Sequence, residues 1–222
     1  SSYQLDYSSL FRSKYAVILN LTADHVERHK SLNNYVDAKF KLLKSQNRGS
    51  FAYIKKDDEL IIKKIKQNKY KAKIYKVQTS NLNKKFDKIY NKYFISDGNK
   101  ENLLFIFKIA SKLKLNKKKL IRSINRFKGL DYRQQIIFDK KNLTIINDSK
   151  STSFASSESV LKNLNGAYWI LGGIPKKGDK FKLSKTKCKN LKAFIFGSHS
   201  NKFFKILKNK LKVKCFKNIE ET

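Results

Sequence analysis

Three polar clusters in this 222-residue sequence each follow directly on an apolar run. Asn20-Leu21-Thr22-Ala23-Asp24-His25 follows YAVIL, and Asn147-Asp148-Ser149-Lys150-Ser151-Thr152 follows LTII. Gly172-Gly173-Ile174-Pro175-Lys176-Lys177-Gly178 follows YWIL. Taken alone, His25 in the first cluster reads as a capping or core histidine, and Lys150 in the second as a solvated loop lysine. The lysines and hydroxyls of the other two can bind anionic oxygen. In open α/β sheets, ligands gather where strands end at their carboxyl side. Three such clusters in one chain therefore point to a ligand site. The third has the glycine spacing of a phosphate loop, but Asp179-Lys180 stands where Lys-Ser/Thr belongs, so it is not read as a phosphate cradle.

A lysine adds to this set. Leu32, Tyr35, Val36, Phe40 and Leu43 recur at i, i+3, i+4, i+8 and i+11, one apolar stripe of a helix. Lys39 falls inside that stripe. Two readings stand: an ammonium that reaches the rim along its aliphatic stem, or a desolvated neutral amine available for covalent chemistry or for bridging a metal site. His29 and His199 are read as solvent-facing or structural.

The elements that must position these residues alternate. YAVILN (15–20) is a continuous apolar run, as in a strand buried on both faces. Ser31 is set to cap a helix running to about Gln46. SFAYIKK (50–56) is a strand, DDELIIKKIKQ (57–67) a helix with two acids at its start, and AKIYKVQ (72–78) a strand. Residues 79–98 are polar and irregular, and helices over 100–115 and 116–127 follow. Beyond Gly129, RQQIIFDKKNLTIINDS forms a hairpin about Lys140-Lys141-Asn142. After it come a helix (154–164), a strand (167–173), a lysine-rich connection, a strand (193–197), a helix (201–210) and a strand (213–216). This alternation implies α/β layers around a largely parallel sheet, with the boundary between two domains at Gly129.

Composition excludes some functions. The net charge of +34 is carried by lysine spread over nearly every segment, and arginine is confined to six positions. Base readout and bidentate phosphate contact favour arginine, and no nucleic-acid-binding motif is present. A dedicated nucleic-acid partner is therefore not expected, although incidental affinity at low salt is. No apolar stretch reaches the ~18 residues that would span a membrane. Cys188 and Cys215 form neither a metal pattern nor a disulfide framework, which fits a reducing cytoplasm.

Taken together, these stretches resemble the Mur ligases. ILNLTADHVERHKSLNNYVDAKFKLL is similar to that family's central-domain pattern of strand, Asn, Asp-His, Ser, then Tyr-x-x-Ala-Lys. INDSKST resembles the C-terminal-domain motif of the branch that adds D-glutamate. GLDYRQQ resembles the domain junction, LGGIPKKG the GGxxK loop, SDGNKENLL the adenine-side Asn-x-x-Asn stretch, and SSYQL the segment after a metal-binding glutamate.

The resemblance implies the latter part of a central ATPase domain with a mostly parallel sheet (1–128), then an incomplete Rossmann-like C-terminal domain that binds the amino acid (129–222). The implied reaction is ATP-dependent amide formation between UDP-N-acetylmuramoyl-L-alanine and D-glutamate through an acyl phosphate, in bacterial peptidoglycan precursor synthesis in the cytoplasm. It further implies that His25 helps bind Mg2+, that Lys39 is carbamylated and reaches a second Mg2+, and that both are catalytic. Asn99 and Asn102 would face adenine, and Arg133 and Asp148 would hold the phosphates and ribose of ATP. Lys150, Thr152 and Lys176 would bind the carboxylates of the incoming amino acid. Ser1 and Gln4 would lie near the sugar nucleotide. A monomer is expected.

The sequence departs from the pattern in places. Lys30 replaces a usual glycine, so that turn must avoid positive φ or tolerate a strained residue. Gly98 stands where histidine is frequent. The family's sugar-nucleotide domain, its Gly-rich Lys-Ser/Thr loop and its C-terminal substrate loop have no counterpart within residues 1–222. An internal piece of a longer polypeptide, inactive alone, is therefore expected. Two alternatives stay open: a sibling ligase adding another amino acid, and a basic nucleic-acid-binding module.

Overall fold

The computed structural model describes every residue except 23–25, 81–85, 177 and 222. Packing divides the chain into two units, Ser1–Lys88 with Glu101–Ile121, and Ile89–Lys100 with Arg122–Thr222.

The first unit contains α1 (Ser2–Tyr7), β1 (Tyr15–Ile18), α2 (Val26–His29), α3 (Leu32–Lys44), β2 (Phe51–Lys55), α4 (Glu59–Lys66) and β3 (Lys73–Val77). The strands pair in parallel in the order β1-β2-β3, with Ala16 beside Ala52 and Ala52 beside Ile74. One face carries Ala16, Ile18, Ala52 and Ile54 against Val36, Phe40 and Leu43 of α3 and Ile61 of α4. The other presents Tyr53 and Val77 to Leu104 and Phe105 of α5 (Asp97–Lys112). Both faces are covered, so the strands read as near-continuous apolar runs rather than alternating ones.

Side-chain caps set the helix starts. Ser31, with φ −151°, accepts the N–H of Asn34 at 3.1 Å and opens α3. The two acids before α4 lie outside the helix and do different things. Asp58 caps it, accepting Ile61 N–H at 3.1 Å through one oxygen and Leu21 N–H at 2.9 Å through the other. Asp57 accepts the Thr79 N–H at 3.0 Å and hydroxyl at 3.1 Å, and the Gln78 amide at 2.8 Å. The pair thus straps together the carboxyl ends of all three strands. Loss of solvent raises the Asp57 carboxyl, but the bonds from Thr79 and Ser80 and the charge of Lys55 outweigh it and leave the group below its ordinary value.

Helix α5 begins at Asp97, earlier than the sequence implied, because the Ser96 hydroxyl accepts the N–H of Asn99 at 3.3 Å. The stretch SDGNKENLL therefore lies on its first turns rather than in irregular chain. Helix α6 spans Lys117–Arg126.

The second unit holds a 3-10 turn (Lys92–Ile95), an antiparallel hairpin of β4 (Gln135–Lys140) and β5 (Leu143–Asn147), then α7 (Phe154–Leu161) and β6 (Ala167–Gly172). There follow α8 (Lys185–Cys188), β7 (Leu191–Phe196), α9 (Ser200–Leu207) and β8 (Lys212–Phe216). Strands β6-β7-β8 are parallel in that order. Ala167, Trp169, Leu191, Ala193, Ile195 and Val213 face a core filled by Phe154, Phe181, Phe203 and Leu207. Tyr168 and Ile170 on the opposite face are exposed. Among the described residues no helix is long and apolar enough to cross a membrane.

Candidate functional site

The densest convergence of the expected site residues lies in the second unit, on the turn Leu130–Gln135. Tyr132 and Gln134 both adopt left-handed backbone, at φ 62° and 50°, on either side of Arg133. Each such non-glycine residue costs on the order of 1–3 kcal/mol and persists only where its surroundings over-determine it. Here they do. Arg133 N–H donates to Leu130 O at 3.1 Å, and Lys150 N–H donates to Tyr132 O at 3.0 Å. Tyr132 N–H donates to the Gln135 side chain at 3.0 Å, and Gln134 N–H to Asp148 Oδ1 at 3.0 Å. Asp148 Oδ2 accepts the Ser151 hydroxyl at 2.8 Å, which closes the loop after β5.

Asn99 joins this turn from the start of α5. Its amide nitrogen donates to Tyr93 O at 2.7 Å and to Gln134 Oε1 at 2.9 Å, and the residue is buried. Burial raises the Tyr93 phenol; Arg133 acts to lower it and Asp148 to raise it, which places both charges within electrostatic reach of the ring. Gly129, at φ 82°, lets the chain pass the same ring, where a Cβ would come within 2.8 Å of it. The result is a rigid, strained turn that presents an exposed guanidinium. Among the described residues that guanidinium makes no hydrogen bond or ion pair. An unpaired guanidinium is suited to bidentate binding of phosphate or carboxylate.

The second and third clusters meet as well. Ser153 caps α7 by accepting Ser156 N–H at 3.3 Å, and Asp179 reaches across to accept Phe154 N–H at 2.7 Å. That bond ties the glycine loop, with Gly173 at φ 97° and Gly178 at φ 77°, to the segment carrying Thr152. Glu158 accepts the N–H of Lys182, and Lys210 donates to the carbonyls of Phe181 at 2.9 Å and Leu183 at 3.0 Å. The lysine-rich connection is thus pinned by two acids and a lysine. Lys150, Thr152 and Lys176 have exposed side chains on these loops.

In the first unit, Ser1 and Gln4 form a capping box on α1, with Gln4 N–H on Ser1 Oγ at 3.3 Å and the Ser1 nitrogen on Gln4 Oε1 at 2.9 Å. His29 is structural: it is buried between the rings of Tyr3 and Tyr35, with Nε2 3.1 Å from Ser2 Oγ. Lys30, in the glycine position, takes φ 63°, so the strained option is the one realised. Lys39 is half-buried, and its ammonium lies 5.0 Å from the centroid of the Tyr35 ring. His25 lies outside the described residues. Asn102 is half-buried one turn along α5 from Asn99. The described residues contain no group of three or more His, Cys, Asp or Glu that could hold a metal ion.

Sequence reasoning missed Tyr93, Gln134 and Asp179. Gln134 sits inside a quoted motif, but its partners lie 35 and 14 residues away, and no local spacing announces them.

A family model described as the Mur ligase middle domain matches residues 1–119. The UDP-N-acetylmuramoylalanine--D-glutamate ligase of Rickettsia felis is 30% identical over 238 residues, covering 100% of this chain and 53% of that protein. Among solved structures, MurF from Acinetobacter baumannii matches with a TM-score of 0.64 at 16% identity, over 94% of this chain and 51% of the other. The MurF ligase from Thermotoga maritima in complex with ADP matches with a TM-score of 0.58 at 15% identity, over 92% and 58%. At such identities the structural likeness speaks to the fold. The chain spans about half the length of the curated relatives it matches.

Proposed function

The chain belongs to the Mur ligase family, and from that membership we propose that it is the ATP- and amino-acid-binding part of a ligase adding D-glutamate to UDP-N-acetylmuramoyl-L-alanine in peptidoglycan precursor synthesis. The observation that carries the reading is the strained turn holding an unpaired Arg133 beside Asp148, Asn99 and Lys150. The name borne by the curated relatives supplies the choice of substrates. In this reading residues 1–128 belong to the middle domain and 129–222 to the amino-acid-binding domain.

The reaction has two steps. The γ-phosphoryl of ATP passes to the alanine carboxylate, giving an acyl phosphate and ADP. The D-glutamate amine then attacks the acyl carbon, phosphate leaves, and the amine loses its proton. Catalysis of such transfers is mainly positioning and charge stabilisation. Arg133 offers paired N–H donors to phosphate oxygens, and Asn99 and Asn102 lie towards the adenine. Asp148 holds the turn through both its oxygens and reaches the nucleotide with its remaining lone pairs. Lys150, Thr152 and Lys176 bind the amino-acid carboxylates, and Ser1 and Gln4 lie towards the sugar nucleotide. Both substrates reach the enzyme as soluble species, and it acts as a monomer.

Magnesium belongs to this reading through Lys39 and His25. As an ammonium Lys39 cannot ligate a cation. Once deprotonated to the neutral amine, it would take up CO2, lose a second proton and carry a carboxylate that can. The described residues alone do not supply a metal donor set.

The test is ADP and phosphate release by the full-length protein with UDP-N-acetylmuramoyl-L-alanine and a panel of amino acids. Stimulation by D-glutamate above all others is expected. Preference for a different amino acid would move the assignment to a sibling ligase, and no ATP-dependent turnover with any of them would remove the ligase reading.

A further inference from the structure

We infer that Gln134 is a positioning residue for Arg133, and that it couples the nucleotide's phosphate contact to Asn99 on α5. The inference rests on the ligase reading above, because it takes Arg133 to meet an ATP phosphate.

Gln134 joins Asn99 at the start of α5 to the loop after β5. Its side-chain oxygen accepts from Asn99 Nδ2 at 2.9 Å, and its backbone N–H donates to Asp148 Oδ1 at 3.0 Å. Asn99 is itself anchored, donating to Tyr93 O at 2.7 Å. The chain of bonds from Tyr93 through Asn99 and Gln134 to Asp148 fixes the residue that follows Arg133. On the other side of Arg133, Tyr132 O accepts from Lys150 N–H at 3.0 Å. Both flanking residues hold left-handed backbone, at φ 62° and 50°. A β-branched or bulky residue resists that conformation, and glycine enters it without steric cost. Arg133 is exposed while its neighbours are bonded, so the turn fixes the point and direction at which its side chain leaves the backbone. Geometry of this kind matters because a misplacement of ~1 Å can cost up to about 100-fold in rate.

Substitution separates the two functions of Gln134. Gln134→Gly keeps the backbone conformation and its N–H bond to Asp148 but removes the bridge to Asn99. Gln134→Glu keeps an acceptor at the same reach. In the full-length enzyme, Gln134→Gly is expected to raise KM for ATP about tenfold, to leave KM for D-glutamate unchanged, and to shift Tm little. Gln134→Glu is expected to stay within about threefold of the parent, since it retains the acceptor. The decisive measurement is a double-mutant cycle with Arg133→Ala. If Gln134 acts through Arg133, Gln134→Gly adds nothing to KM for ATP in that background.

Equal multiplication of KM in both backgrounds would overturn the inference. So would a fall in Tm with KM for ATP unmoved, the outcome of a merely structural role. The same cycle read as ADP affinity by calorimetry separates this failure from that of the ligase reading. A protein that binds ADP but forms no amide loses the ligase assignment, and the cycle still decides the role of Gln134. A protein that binds no adenine nucleotide overturns both.

Discussion

Two lysines show how much a single position can carry. Lys30 takes φ 63° where a side chain is disfavoured. The left-handed backbone costs about 1–2 kcal/mol, and glycine would remove that while adding roughly 0.5–1 kcal/mol of unfolded-chain entropy. Lys30→Gly is therefore expected to stabilise by about 0.5 kcal/mol, or about 1–2 °C in Tm for a chain of this size. Thermal denaturation reads this directly, and a lower Tm would mean that the Lys30 side chain makes a contact worth more than the strain. Lys39 poses the opposite question. Its half-buried ammonium over Tyr35 is a good cation–π geometry, and the proposed function asks the same group to become a carbamate. In the full-length ligase, Lys39→Ala should lower turnover about 10–100-fold and recover part of it in bicarbonate or a short carboxylic acid. Loss without recovery would leave the lysine essential but not as a carbamate.

At the scale of elements, one helix cap was legible and the strand-end straps were not. Ser31 stands immediately before an apolar-periodic run, which is how a cap announces itself, whereas Asp58, read as part of its helix, proves to be the cap. Asp57, one residue away, instead binds Thr79 at the end of β3, 22 residues on. Its lowered carboxyl has a consequence for pH. A depressed folded-state value means the contribution is present above the ordinary value near 3.8 and is lost as pH falls through the folded one. Asp57→Asn should therefore lower Tm at pH 7, and the gap to the parent should close as the pH drops below about 3.8. A gap that stayed constant through that range would assign the effect to packing rather than charge. The early start of α5 has a similar cause. The Ser96 hydroxyl satisfies the Asn99 N–H, and this draws the stretch DGNKENLL onto a helix.

For the whole molecule, charge is the dominant bulk property. A net +34 makes self-repulsion a standing cost to the folded state, and few acids are present to offset it. Raising NaCl from ~0.02 to ~0.3 M shortens the screening length from about 20 Å to under 10 Å, so Tm should rise with salt over that range. A fall would mean that ion pairs such as Lys55–Glu101, at 2.7 Å, contribute more than the repulsion removes. The chain also carries no Gly-rich Lys-Ser/Thr loop within its 222 residues. ATP turnover by residues 1–222 alone is accordingly expected to be undetectable in an ADP-release assay, and turnover would show that another segment of this chain cradles the phosphates.

The order and type of the strands and of the longer helices were determined by the sequence alone: two βα runs of parallel strands with a hairpin between them. The short helices α1, α2 and α8 and the 3-10 turn were not read from it. Period, caps and turn chemistry are local properties, written in residues close together along the chain. The motifs that mark the family were legible for the same reason. Only the tertiary structure decided that Asn99, Gln134 and Asp148 form one network, that Asp179 closes the glycine loop onto α7, and that Lys30, Tyr132 and Gln134 hold left-handed backbone. Those bonds join residues between 14 and 35 positions apart. Hydrogen bonds of that range, and the strain they hold in place, depend on how elements dock against one another, which local propensity does not encode.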